Sequence, residues 1–205
     1  MTQTVRTRSL DTEVSEHRDP DHDVDPLFVN RWSARAMTGD TLAPEEFLPL
    51  FEAARWAPSA YNNQHWRFLY ATRDDEEWET FFDLLNEANQ TWASEAGVLV
   101  VILAKTTFDH NGESAPTHSF DTGAAWQNLA LEATRRDLVA HPMAGFDWGR
   151  VHGALDVPED EFDVEAMVAI GERGDPESLP EDLQEREFPK GRKSLDEITF
   201  NGRFE

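Results

Sequence analysis

The chain has 205 residues, 39% of them hydrophobic, and carries 18 Lys and Arg against 41 Asp and Glu, a formal charge of −23. That length accommodates one well-buried domain and leaves little for a second. A surface this acidic repels nucleic acid and anionic membranes, and the absence of cysteine excludes disulfides, thiolate metal sites and a cysteine nucleophile, so redox chemistry here needs a borrowed cofactor.

Residues 1–25 are polar and acidic with almost no large apolar side chain, which predicts a mobile tail. Order is expected to begin near Pro26 to Phe28, in a single domain spanning 26–205. Residues 41–56 read as the first strong helix. Pro44 suits a first helical position, Glu45 and Glu46 favour the positive end of the helix dipole, and Phe47, Leu50, Phe51 and Ala54 form an apolar stripe. Pro49 is a local conflict inside it. A loop over 57–64 leads to a strand at 66–71, and residues 75–90 read as a second helix on Trp78, Phe81, Phe82 and Leu85. Val98 to Ala104 is a continuous β-branched and leucine run, the mark of a buried strand. After a polar loop over 106–120 come an alanine-rich helix at 121–136, a short strand at 139–143, a helix near 148–155 and a strand at 166–170. The sum is an α+β chain with about four strands.

No apolar run reaches the length of a membrane span and the first residues lack the apolar core of a signal peptide, so a cytoplasmic protein is expected. The excess of acids over lysine fits a salt-adapted, halophilic surface whose self-repulsion grows at low ionic strength. The motifs of several chemistries are missing. There is no G-x-x-x-x-G-K-S/T loop and no G-x-G-x-x-G after a strand, and Gly171 to Gly174 reads as a turn. No G-x-S-x-G elbow appears, and the seven histidines show no ligand spacing, so no metal site is expected.

Two clusters stand out. Arg31, Ser33 and Arg35 alternate with Trp32 and Ala34, so in an extended segment two guanidinium groups and a hydroxyl share one face and suit a phosphate dianion. Pro58-Ser59-Ala60-Tyr61-Asn62-Asn63-Gln64 is a carboxamide-rich loop whose donors and acceptors fit the alternating edge of a flavin pyrimidine ring. R-x-S-x-R, a helix ending A-A-R-W-A-P-S-A, and then N-N-Q-H-W-R-F resemble the flavin-binding signature of the nitroreductase family. Asn89, the Asp121 to Leu129 helix start, the P-x-x-G-F turn of Pro142 to Phe146, and the basic segment Gly191 to Ile198 follow in the family's order, so the resemblance covers residues 27 to about 200.

The resemblance implies a nitroreductase-like fold, a central and mainly antiparallel sheet flanked by helices, in an intertwined homodimer with two FMN sites at the subunit interface. The helix at 121–136 would lie in that interface. Arg31, Ser33 and Arg35 would hold the FMN phosphate and ribityl chain, with Arg192 and Lys193 completing the anion site. Pro58 and Ser59 would meet the ring from the partner subunit, and Asn62, Gln64 and Asn89 would meet its polar edge or the ribityl chain. Met143, Ala144 and Gly145 would approach the ring, the backbone amides of the last two facing flavin N5 and O4. His65 stands where many members have proline, Trp92 where some have lysine, and Met143-Ala144 where an acid often sits. The implied activity is ping-pong hydride transfer from NADH or NADPH through FMN to a small conjugated acceptor such as a nitroaromatic or quinone. No protein acid or base need take part. A specialised flavoenzyme on this scaffold (a dehalogenase, an enal or semialdehyde reductase, a flavin-cleaving enzyme) and a non-catalytic FMN-binding protein remain alternatives. So does an acidic interaction protein without cofactor.

Overall fold

A computed structural model of the chain describes residues 9–204. Its centre is β2 (Val98–Lys105), whose run of Val, Leu and Ile offers no polar side to water and is buried along almost its whole length. Such a strand needs a neighbour on each edge and a cover on each face. Antiparallel β1 (Trp66–Thr72) pairs with one edge, Trp66 facing Ala104 and Thr72 facing Val98. Antiparallel β4 (Phe162–Glu172) takes the other edge and carries β3 (Leu138–Met143) outside it, giving the order β1-β2-β4-β3. The expected mainly antiparallel sheet of an α+β fold is therefore present.

The pleat sends alternate residues of β2 into two cores. Val98, Val100 and Ile102 meet Phe47, Leu50 and Ala54 of α3 (Pro44–Arg55) and Ala125, Leu129 and Ala133 of α6 (His118–Arg135). Leu99, Val101 and Leu103 meet Trp78 and Phe81 of α4 (Trp78–Phe82), Trp92 of α5 (Glu87–Ala93) and Met143. Pro49 does not break α3: the loss of one backbone hydrogen bond is outweighed by the burial of Phe47 and Leu50 on the same stripe. The short α7 (Trp148–Ala154) and α8 (Glu181–Gln184) follow β3 and β4 respectively.

Three expectations need correction. The helix expected over 75–90 is two helices, α4 and α5, because Asn86 caps a fresh start by accepting from Asn89 N–H at 3.0 Å. β4 begins four residues before the expected 166, since its acidic start, Asp163 and Glu165, is held by His118 and Ser119. The tail expected over 1–25 is mostly exposed where it is described, from Ser9 onward, but it touches the body at points that composition does not announce. There α1 (Thr12–Ser15) buries Val14 completely, and Asn30 of α2 (Pro26–Asn30) bonds back to Ser9 and Asp11. A single apolar residue among acids gives no periodic signal, yet it suffices to dock the segment. Residues 1–8 lie outside the described residues. No described helix is long and apolar enough to cross a membrane.

Because Leu99 is fully buried on the α4–α5 side of the sheet, Leu99→Ala should lower unfolding free energy by about 2–5 kcal/mol. Chemical denaturation at constant high salt, with an unchanged slope, is the measurement.

Candidate functional site

Beyond α2 the chain runs past β3. Trp32 lies under the Arg173 guanidinium at 4.8 Å and Ala34 is buried in the core. Arg31 Nη1 donates to Ser33 Oγ at 3.3 Å, so these two share a side as expected, whereas Arg35 Nη1 lies 3.7 Å from Oε2 of Glu187, the carboxylate that also pairs with Arg173. Glu187, whose carboxylate is fully buried, fixes the segment. Its Oε1 accepts from the N–H of Arg35 (2.7 Å), the N–H of Ala36 (2.9 Å) and Arg173 Nη1 (2.6 Å). Arg31 has no such counter-charge. Its Nε is buried without a partner among the described residues, and burial, then the nearby Arg192 charge, pull its pKa below the usual arginine value. Arg192 and Lys193 line a cavity of about 560 Å³ together with Arg18. The structure thus brings Arg31, Ser33 and Arg192 together from both ends of the chain, with Arg35 alongside and partly engaged by Glu187.

A second group sits on the same edge of the sheet, joined to the first by His141. His141 Nδ1–H donates to Ala34 O at 2.9 Å, and its ring packs on Trp92 at 4.6 Å. One turn earlier on α5, Asn89 Nδ2 donates to Gly145 O at 2.9 Å, an oxygen that also accepts from Asn86 N–H at 3.0 Å. Ala144 O accepts from Trp148 Nε1 at 3.1 Å, and that indole stacks on Phe146 at 4.2 Å. The carbonyls of the turn are therefore occupied, whereas the N–H groups of Ala144 and Gly145 donate to no group among the described residues. Gly145 is required by close approach, because a Cβ there would lie 2.6 Å from Asn86 Nδ2 and 2.7 Å from Asn89 Nδ2. Met143 itself is buried in the core.

The carboxamide loop lies elsewhere. Residues 58–64 precede β1, the opposite edge of the sheet, about 14 Å away at ordinary strand spacing. Buried Asp121 holds the loop by accepting from Ala60 N–H at 2.9 Å and from Thr117 Oγ1 at 3.2 Å. Ser59 Oγ accepts from Gln64 N–H at 3.0 Å, and Gln64 Nε2 donates to Asn62 O at 3.2 Å. Tyr61, Asn62 and Gln64 all have left-handed backbone, with φ of 53°, 55° and 52°. Pro58 and Asn62 are exposed. His65, fully buried, donates from Nδ1 to Lys105 O at 2.7 Å, a bond that needs a ring N–H. One chain alone therefore unites Arg31, Ser33, Arg35, Arg192, Asn89, Ala144 and Gly145 along one edge, and leaves Pro58, Ser59, Asn62 and Gln64 on the other.

The family model described as the nitroreductase family matches residues 29–91 and 74–172. The chain belongs to the nitroreductase family. The chain is 46% identical to a solved structure described as an oxidoreductase containing FMN, with a TM-score of 0.88 over 92% of this chain and 96% of that one. A solved protein in complex with FMN from Desulfovibrio desulfuricans is 22% identical, with a TM-score of 0.70 over 87% of this chain and 96% of that chain, and shares the fold. An uncharacterized 15.4 kDa protein from Mycolicibacterium smegmatis is 37% identical over 131 residues, 63% of this chain and 86% of that protein.

Four residues that shape this nitroreductase site escaped sequence reading. Arg18 sat in the presumed tail, and Glu187 was one acid among 41. Asp121 was read only as the start of a helix, and Asn86 only as an interior helical residue. For Asn86 a usable signal existed, since Asn followed by Glu is a common helix beginning.

His141 is held down to about pKa 4, first by burial and then by the Arg35 and Arg31 charges, against the pull of its Ala34 hydrogen bond and Glu187. Between about pH 4 and the ordinary 6.5 the unfolded chain binds a proton that the folded chain refuses. The stability this contributes is present above 6.5 and lost as pH falls through that window, about 3 kcal/mol in all. His141→Asn, which keeps a donor toward Ala34, should flatten the decline in unfolding free energy between pH 6.5 and 4; an unchanged pH profile would refute the assignment.

Proposed function

We propose that this nitroreductase is an FMN-dependent oxidoreductase that works by ping-pong hydride transfer from NADH or NADPH to a small conjugated acceptor, as a homodimer. The observation that carries the reading is a coincidence on one sheet edge. A guanidinium group without counter-charge, Arg31 beside Arg192, and a pair of unpartnered backbone donors, Ala144 and Gly145 N–H, share it. The first suits a phosphate dianion and the second suits a ring edge that gains negative charge. The residues present fit FMN at both its ends.

Arg31, Ser33 and Arg35, with Arg192 and Lys193, would hold the phosphate and ribityl chain. Glu187 keeps Arg35 in place without reaching Arg31, so half of the pair stays free for an anion. Asn89 and Asn86 fix Gly145 by its carbonyl, which aims the two free N–H groups outward, and Trp148 does the same through Ala144 O. Donors fixed in this way cost no reorganisation when charge develops beside them. His141, held down to about pKa 4 by burial and by the Arg35 and Arg31 charges, adds no positive charge there at neutral pH. FMN, when bound, supplies the two-electron chemistry, so no side chain need act as acid or base. Asn62 and Gln64, with Pro58 and Ser59, lie on the far edge and would complete the site from the partner copy, which supports the homodimer. The strongly acidic composition supports a salt-adapted cytoplasmic protein.

Purified at high salt, the protein should show a flavin spectrum that bleaches on anaerobic addition of NADH or NADPH and returns with a quinone or nitroaromatic. A colourless sample that takes up no FMN would sink the proposal. Replacing both Arg31 and Arg35 by Ala should remove most bound FMN while far-UV circular dichroism stays unchanged, and full retention of FMN would sink the phosphate assignment.

A further inference from the structure

Arg18 lies outside every segment of the flavin signature, yet its position is fixed by both limbs of the anion site. Its Nη1 donates to Val29 O at 2.5 Å and to Arg31 O at 2.9 Å, and its Nε donates to Lys190 O at 2.9 Å. Guanidinium offers five N–H donors in a rigid fork, so three are used and both Nη2 donors are left. The side chain lines the cavity of about 560 Å³ that Gly191, Arg192, Lys193 and Phe28 also line. Among the described residues no carboxylate forms an ion pair with Arg18, Arg31 or Arg192, although Asp19 and Asp21 line the same cavity. Arg18 and Arg192 line that cavity, and Arg31, which does not line it, lies near enough for its charge to act on Arg18, in a chain whose net charge is −23. Like charges brought together without acids are an unfavourable arrangement unless an anion joins them.

We propose that Arg18 is a binding residue of a three-guanidinium site, with Arg31 and Arg192, for a phosphomonoester dianion, and that the docked segment 9–18 is a strap that sets it there. The strap is anchored at its start by Val14, fully buried, and by the Asn30 bonds to Ser9 and Asp11. At its end Arg18 ties the backbone at residues 29–31 to the backbone at residue 190. The site therefore depends on three stretches of chain, two of them near opposite ends of the sequence. The Arg18 pKa is drawn down to about 10, first by burial and then by Arg192 and Arg31, the effect expected of a cation crowded by others. A dianion placed beside Arg18 and Arg31 opposes that loss for both.

The inference rests on the proposed FMN reading only for the molecule that bears the phosphate. The test compares the wild-type full chain with Arg18→Met and Arg18→Lys at constant high salt. Dissociation constants for FMN and for riboflavin, which differ by the phosphate alone, come from flavin fluorescence. Thermal unfolding of the flavin-stripped full chain with inorganic phosphate gives a second readout. Arg18→Met should weaken FMN about tenfold or more, leave riboflavin affinity unchanged and abolish protection by phosphate. Arg18→Lys, which keeps charge without the fork, should fall between. Equal loss of FMN and riboflavin would reveal a merely structural role and overturn the proposal, as would unchanged FMN affinity. If the wild type binds neither flavin, the FMN reading fails and the phosphate arm decides alone. Protection of the wild type but not of Arg18→Met supports the three-guanidinium site, and absence of protection in the wild type overturns it.

Discussion

A strand with no side to turn toward water has to be roofed above and below, and in this molecule that strand is β2. Its two faces claim the large side chains of α3 and α6 on one side and of α4 and α5 on the other. Once those elements are spent on covering the sheet, only the sheet's edges remain for groups that must stay polar and reachable. Both clusters of chemistry lie there, the cations and free amides along β3 and the carboxamide loop before β1. The position of the site is thus a consequence of the core.

Along the β3 edge the packing problem is reversed, because charges of one sign have to be held together. Backbone oxygens do much of that work. Arg18 is fixed by three carbonyls and Arg192 by those of Lys190 and Gly191, while the buried carboxylate of Glu187 is shared between Arg35 and Arg173. Carbonyls orient a guanidinium without cancelling its charge, whereas a carboxylate would do both. Leaving Arg31 free of acids in a chain with 41 of them keeps an anion site from being filled by the protein itself.

The elements were legible wherever a period ran long enough. α3, β1, β2, α6 and β3 lie within a few residues of their expected bounds, and Arg31 meets Ser33 two positions on while Ala34 turns into the core. What could not be read depends on single residues acting across distance. Val14 docks a segment that composition marks as disordered, Asn86 divides one helical pattern into two, and Glu187 reaches back about 150 positions to residues 35 and 36. Each of these is a tertiary event with no local period. The division at Asn86 matters most for the site. Without it Asn86 and Asn89 could not hold Gly145, and the two free amides would lose their direction.

The carboxamide loop poses the remaining question of economy. Tyr61 and Gln64 hold left-handed backbone that non-glycine residues adopt at a cost of about 1–3 kcal/mol each. Asp121, Ser59 and Asn63 maintain that conformation, Asn63 by accepting from Asp109 N–H at 2.8 Å and donating to Thr107 O at 3.2 Å. Strain retained at this expense has no use for the sheet, since β1 begins only at Trp66. Asn62 and Tyr61 are left exposed on that edge, Tyr61 81% exposed with one side of its ring against Phe108 and His110. A loop built to face outward on one edge and an anion site built on the other are complementary halves. A second copy of the chain can join them by a two-fold axis, in which each edge meets the opposite edge of its partner. That pairing of edges is what the proposed homodimer requires of a single chain.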